Sequence, residues 1–154
     1  MTRAWITTGA ESELRREATR HPDAETGGLL LGYWSGDAVV VSGVIGPGPG
    51  AARTRTSFLP DDAWQTTELA RRYAASGRRH TYLGDWHTHP GGGPKPSWPD
   101  RRTLRDIAQH AESRAPRPLF AILSPAPDGE LTVWCYAGKA RRPTRLPLNQ
   151  VGDN

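Results

Sequence analysis

His87-Thr88-His89 sets two imidazoles two residues apart. In extended backbone that spacing points both side chains to one face, so both rings can reach one cation. Asp100 follows eleven positions after His89. Two histidines and a carboxylate are ligands of the hard-to-borderline kind that zinc accepts, with a fourth position left for water. An open position marks a catalytic site rather than a structural one, because zinc lowers the pKa of water there to about 7. The histidine pair alone is weak evidence, since paired surface histidines are common. Ser97-Trp98-Pro99-Asp100 also has a purely structural reading. Ser97 serves as a helix N-cap, Pro99 sits in the first turn and Asp100 completes a pair like a capping box. That reading leaves the histidines, on the far side of a long loop, without an explanation.

The elements around these residues follow from periodicity and punctuation. Thr81 to Trp86 reads as a strand running into His87, and Pro90 to Pro99, with three glycines and four prolines, must be loop. Asp100 to Arg114 predicts a helix broken by Pro116. Upstream, Glu11 to Arg20 predicts a short helix capped by Thr8 or Ser12. Thr26 to Trp34 suits a buried strand, and Val39–Val41 with Val44-Ile45 continue it as a hairpin after Ser35-Gly36-Asp37. Gly46 to Gly50 alternates Gly and Pro and is loop, and Arg53 to Phe58 is read as a further strand. Pro60-Asp61-Asp62 opens a helix that ends near Ser76-Gly77, with acidic residues in its first turn and Arg71-Arg72 in its last, as the helix dipole favours. Leu119–Leu123 and Leu131–Tyr136 form a last hairpin around Pro127-Asp128-Gly129. There is no internal repeat. Strands and helices sharing one core give an α/β sandwich. Residues 1–138 are taken as one domain and 139–154 as a basic, poorly ordered tail.

At 154 residues the chain can bury a core without disulfides, and its single cysteine, Cys135, cannot form one internally. A buried thiol is the expected role for Cys135. No apolar stretch reaches the ~20 residues needed to cross a membrane, and Met1-Thr2-Arg3-Ala4-Trp5 lacks the apolar core of a signal peptide. A cytoplasmic location is the resulting expectation. The net charge of +4 comes from 20 basic and 16 acidic residues, and 18 of the basic ones are arginines. The arginine doublets are scattered among acidic residues, so a nucleic-acid partner is not expected. His21, His80 and His110 have no ligand-like spacing. Barrel hydrolases that also use His-x-His need further histidines spread over ~250 residues, which this chain does not have.

His87-Thr88-His89-Pro90, six residues, Ser97, two residues and Asp100 resembles the JAMM signature of the JAB/MPN zinc metalloprotease family. Glu25-Thr26-Gly27-Gly28-Leu29-Leu30-Leu31-Gly32 is similar to the upstream glutamate element of that family, and Tyr82 to Pro90 resembles its prokaryotic JAB branch most closely. Residues 11–136 can be read against the family's order of elements. The resemblance implies a mixed, mainly antiparallel sheet flanked by about three helices in one domain.

It also implies that His87, His89 and Asp100 bind one zinc per chain and that Glu25 contacts the water as general base. No property of the sequence alone selects Glu25 from seven glutamates. Ser97 would donate to the developing oxyanion. The substrate implied is the amide or isopeptide after the C-terminal glycine of a ubiquitin-like protein, as in bacterial conjugation or anti-phage systems. Such a thin tail could add as a strand to an exposed edge, for which Gly46 to Phe58 is the candidate. Gly91-Gly92-Gly93 is either a closing hinge or a spacer, Asp85 either orients a ligand histidine or is a surface residue, and Trp86 and Trp98 either shape a groove or pack the core. Processing of a sulfur-carrier protein or small peptide is one alternative. A non-catalytic scaffold is another, set against by the presence of all five motif residues. Nothing in the sequence indicates an oligomeric state.

Overall fold

In the computed structural model, which describes residues 1–126, 128–137 and 142–153, the leucine run after Thr26 forms β2 (Gly27–Ser35). It turns at Gly36, whose φ is +60°, into the valine-rich β3 (Ala38–Ile45), as a hairpin should. β3 pairs on its other side with β1 (Arg3–Thr7), and β2 pairs with β6 (Thr81–Thr88). β6 runs parallel to β7 (Leu119–Leu123), which hairpins to β8 (Leu131–Cys135) and then to β9 (Thr144–Leu146). On the opposite edge, β10 (Leu148–Val151) runs parallel to β1. The order is β10-β1-β3-β2-β6-β7-β8-β9, with four antiparallel and three parallel pairings, so the sheet is mixed and mainly antiparallel.

β9 and β10 form the two edges of this sheet, yet only Pro147 separates them in sequence. A flat sheet of eight strands would hold its edges ~34 Å apart, which one residue cannot span. The sheet therefore curls until its edges meet, and α1 (Thr8–Thr19) packs inside the curl. Leu14 and Ala18 of α1 share one buried cluster with Ile6, Leu30, Val41, Trp86, Leu119, Val133 and Leu146. On the outer face, α3 (Trp98–Gln109) places Leu104 over Phe120, Ile122 and Tyr136. α2 (Asp62–Ala75) sends the buried Gln65 to the carbonyl of Gly46.

Several expectations are corrected here. The segment expected as a poorly ordered tail supplies β9 and β10, because backbone pairing at both sheet edges orders strands whose composition is polar. Its residues 139–141 and Asn154 lie outside the described residues, as do Gly138 just before it and Pro127 of the expected turn. Residues 53–58 do not form one strand. They make a small ribbon of β4 (Ala52–Arg53) and β5 (Phe58–Leu59), closed by Thr54 and Ser57. α1 starts earlier than expected, with Thr7 as its cap accepting from the Ala10 amide. α3 starts at Trp98 with Pro99 in the first turn, and ends at Gln109 once its apolar face runs out; a 3₁₀ turn at Ala111–Ser113 follows. β1, with buried Ala4 and Ile6, was not foreseen.

Candidate metal centre

β6 carries Trp86 and Thr88 inward and Asp85, His87 and the following His89 outward, so the alternation that puts a tryptophan in the core puts the histidines on one face. Trp86 is fully buried, and its Nε1 donates to the Ile45 carbonyl at 3.1 Å. It packs the core, whereas Trp98 stands exposed. Asp85 is held by the Tyr82 hydroxyl at 2.7 Å rather than by a ligand histidine, and burial pushes its pKa up to about 6.

Asp100 reaches the histidines from the first turn of α3. Ser97 caps that helix: its Oγ accepts from the Asp100 amide at 3.2 Å, and its own amide donates to Asp100 Oδ2 at 2.8 Å. The capping box is therefore real, and it aims the carboxylate at the histidines. Asp100 Oδ2 lies 3.3 Å from His89 Nε2, and Oδ1 lies 3.9 Å from His87 Nδ1. The ligand atoms of His87, His89 and Asp100 all fall within 4.8 Å of one another. Among the described residues, His21, His80 and His110 belong to no such group.

Glu25 comes from the segment before β2. Its amide donates to the Thr54 carbonyl, and the next residue is locked to the end of β6 through Thr26–Thr88 hydrogen bonds of 3.0 and 2.8 Å. This brings Glu25 Oε1 to 3.6 Å from His87 Nδ1. Burial raises the pKa of the Glu25 carboxyl. Ser97 meets the cluster through Asp100.

Three observations test whether a cation fits. His87 Nδ1 is buried and has no hydrogen-bond partner among the described residues, and 3.6 Å to Glu25 is beyond hydrogen-bond range. Burial lowers the His87 pKa to about 4, so the ring is neutral at pH 7, as a metal ligand must be. His89 Nδ1 lies 3.3 Å from the Gly93 carbonyl, which can only accept. The proton therefore sits on Nδ1 and leaves Nε2 facing Asp100, two acceptors that repel unless a proton or a cation stands between them. The hydrogen bond to Asp100 raises the His89 pKa. On Asp100 itself burial pushes upward, and the hydrogen bonds from His89 and Ser97 outweigh it to lower the pKa. The residues present fit a single cation with one histidine nitrogen otherwise unsatisfied.

Two aromatic residues that sequence reasoning missed lie against His87. Phe58 on β5 and Phe120 on β7 meet its ring edge-on, at centroid distances of 5.3 and 5.0 Å. The parallel register of β6 and β7, which brings Phe120 there, leaves no local signal in the sequence. Cys135 is buried and its pKa is raised by burial, which suits an inert thiol. Among the described residues, no helix is long and apolar enough to cross a membrane.

Residues 7–136 match the family described as prokaryotic homologues of the JAB domain. The chain is 45% identical over 129 residues to the probable metalloprotease y4qB of Sinorhizobium fredii, covering 82% of this chain and 79% of that one. It is 34% identical over 112 residues to a protein of Enterobacter hormaechei named CD-NTase/cGAS isopeptidase, covering 71% of this chain and 60% of the relative. A protein of the same name from Vibrio cholerae is 34% identical over 85 residues, covering 55% and 54%. The chain thus spans less than two thirds of the length of either isopeptidase. In fold it is similar to a solution structure from Desulfitobacterium hafniense, with a TM-score of 0.72 over 97% of this chain and 94% of that one at 19% identity.

Proposed function

This chain belongs to the prokaryotic homologues of the JAB domain and is a JAMM-type hydrolase, and we propose that it is a zinc-dependent isopeptidase cutting after the C-terminal glycine of a ubiquitin-like protein. The observation that carries this reading is the orphaned His87 Nδ1 set among His89, Asp100 and Glu25. His87, His89 and Asp100 are the ligands in this reading. Zinc, when bound, lowers the pKa of water to about 7 and draws electron density from the scissile carbonyl.

The chain's own residues do the rest. Glu25, its basicity raised by burial, takes the proton from the attacking water and delivers it to the leaving amine. Ser97 spends its lone pair on the Asp100 amide, so its O–H is left to donate to the developing oxyanion. A cleft of about 220 Å³ opens beside His87 between Gly28, Phe58 and Gln65. Its small size, with a glycine in its wall, suits an extended glycine-ended tail rather than a bulky side chain. The β4–β5 ribbon next to Glu25 offers such a tail an exposed edge. The relatives named isopeptidase support a conjugate as substrate.

The test is to incubate the protein with ubiquitin-like proteins fused through their C-terminal glycine to a reporter, with a sulfur-carrier fusion alongside. Intact mass should show cleavage after the glycine, and a chelator should stop it. Cleavage of the sulfur-carrier fusion alone would move the substrate to that class, and cleavage of neither would refute the peptidase reading.

A further inference from the structure

The solvent face of α3 is basic. Trp98, Arg101, Arg102 and Arg105 stand at i, i+3, i+4 and i+7 and so share one stripe of the helix. With Arg142 and Asp106 they line a groove of about 470 Å³. Trp98 is 63% exposed, and the Arg102 guanidinium lies 5.8 Å from its ring centre. Elsewhere Arg15, Arg20, Arg71, Arg72 and Arg145 are each paired with a glutamate. Among the described residues, none of the four arginines in the groove makes an ion pair. Moreover, Arg101 Nε is buried without a hydrogen-bond partner among the described residues. Four like charges around one groove repel, and an unmade buried hydrogen bond carries a cost of its own. A ligand bearing carboxylates relieves the repulsion, because a guanidinium fork matches a carboxylate with two parallel hydrogen bonds.

The place of the groove says what brings such a ligand. Trp98 and Arg101 flank Asp100 in sequence, so the groove begins beside the metal centre. The stripe runs only ~10 Å along the helix, holds a single aromatic and includes Asp106, which suits a short acidic peptide better than a polynucleotide tracked phosphate by phosphate. Resting on the peptidase reading above, we propose that this face of α3 is an exosite for a Glu/Asp-rich stretch of the protein substrate. Its carboxylates fork onto Arg101, Arg102, Arg105 and Arg142, and Trp98 covers its apolar atoms.

The probe is a fluorescein-labelled oligo-glutamate peptide, titrated with the full zinc-loaded chain and followed by anisotropy. Oligothymidylate of equal charge and phosphatidylglycerol vesicles are run in parallel. The peptide should bind, bind less as salt rises, and lose about tenfold or more in affinity with Arg102→Glu/Arg105→Glu. Both side chains are exposed; if the double charge reversal does not fold, Arg102→Gln/Arg105→Gln gives the same reading with a smaller loss. Binding should also shift tryptophan emission, and Trp98→Phe should remove that shift. No binding, or binding unchanged in the variants, overturns the proposal. Tighter binding of oligothymidylate or of vesicles overturns it by assigning the groove to nucleic acid or to a membrane surface. Binding is read without cleavage, so failure here leaves the peptidase reading intact, and failure of cleavage leaves this result intact.

Discussion

Gly27 on β2 lies directly across from His87 on β6, and a Cβ at position 27 would stand 2.5 Å from the imidazole Cδ2 and 2.3 Å from the Trp86 carbonyl oxygen. The backbone oxygen cannot yield without separating the strands, so the ring must. Gly27→Ala should therefore displace the ring proposed to bind zinc as well as strain the sheet. We expect zinc content to fall well below that of the wild type and stability to drop by about 1–3 kcal/mol, as overpacking does. Metal analysis beside a denaturant melt checks this, and full zinc occupancy in the variant would show that β2 does not set the ring.

Ser97 caps α3 and, in the proposed mechanism, also donates to the oxyanion, and two substitutions separate these tasks. Ser97→Ala should cost about 1 kcal/mol as a lost N-cap, whereas Ser97→Gly should cost only a few tenths. Both lack the hydroxyl and should lose the same ~10²–10³ in kcat. If Ser97→Gly keeps its turnover, the serine is a cap alone.

The two aromatic neighbours of His87 should behave differently. Phe120 is fully buried, and Phe120→Ala should cost about 3–5 kcal/mol. Phe58 is half-buried on the two-residue β5 and lines the cleft beside His87. Phe58→Ala should leave zinc and fold in place and raise KM for the fusion substrate by about tenfold, a change of ~1.4 kcal/mol. Steady-state kinetics with a thermal melt decides it; an unchanged KM would remove Phe58 from the substrate path.

Glu68 supplies a pH dependence away from the active site. Its hydrogen bond from Arg71, with help from Arg72, holds its pKa at about 2 against an ordinary 4.5, and Arg72 also reaches Glu13 at 3.2 Å to tie α2 to α1. A carboxylate with its folded pKa depressed stabilises the fold above its unfolded pKa and loses that contribution as pH falls through the folded value. Glu68→Gln should thus be less stable than the wild type at pH 7, by under ~1 kcal/mol because the pair is near solvent. The difference should close between pH 4.5 and about 2. Melts across that range test the sign, and a gap that widens toward acid would contradict it.

The part of the site that lies on one local stretch was legible. Strand alternation put His87 and His89 on one face, and the Ser97–Asp100 cap is visible at helix spacing. The capping and the ligand readings of Asp100 look like rivals in the sequence, but the cap leaves the carboxylate aimed at both histidines, so the two are compatible. Glu25 was out of reach of spacing, because its position depends on Thr26–Thr88 bonds spanning 62 residues. Phe58, Phe120 and the steric demand at Gly27 depend on cross-strand register in the same way. In the fold, strongly periodic elements were found. β1, β9 and β10 were missed because they are short and owe their order to partners distant in sequence.

The most direct test of the metal centre is zinc stoichiometry measured for the wild type, Glu25→Gln and Asp100→Ala. Wild type and Glu25→Gln should each hold about one zinc per chain and Asp100→Ala almost none, with Glu25→Gln inactive despite its metal. Zinc lost from Glu25→Gln would make Glu25 a ligand rather than a base, and zinc retained by Asp100→Ala would contradict the site as built from His87, His89 and Asp100.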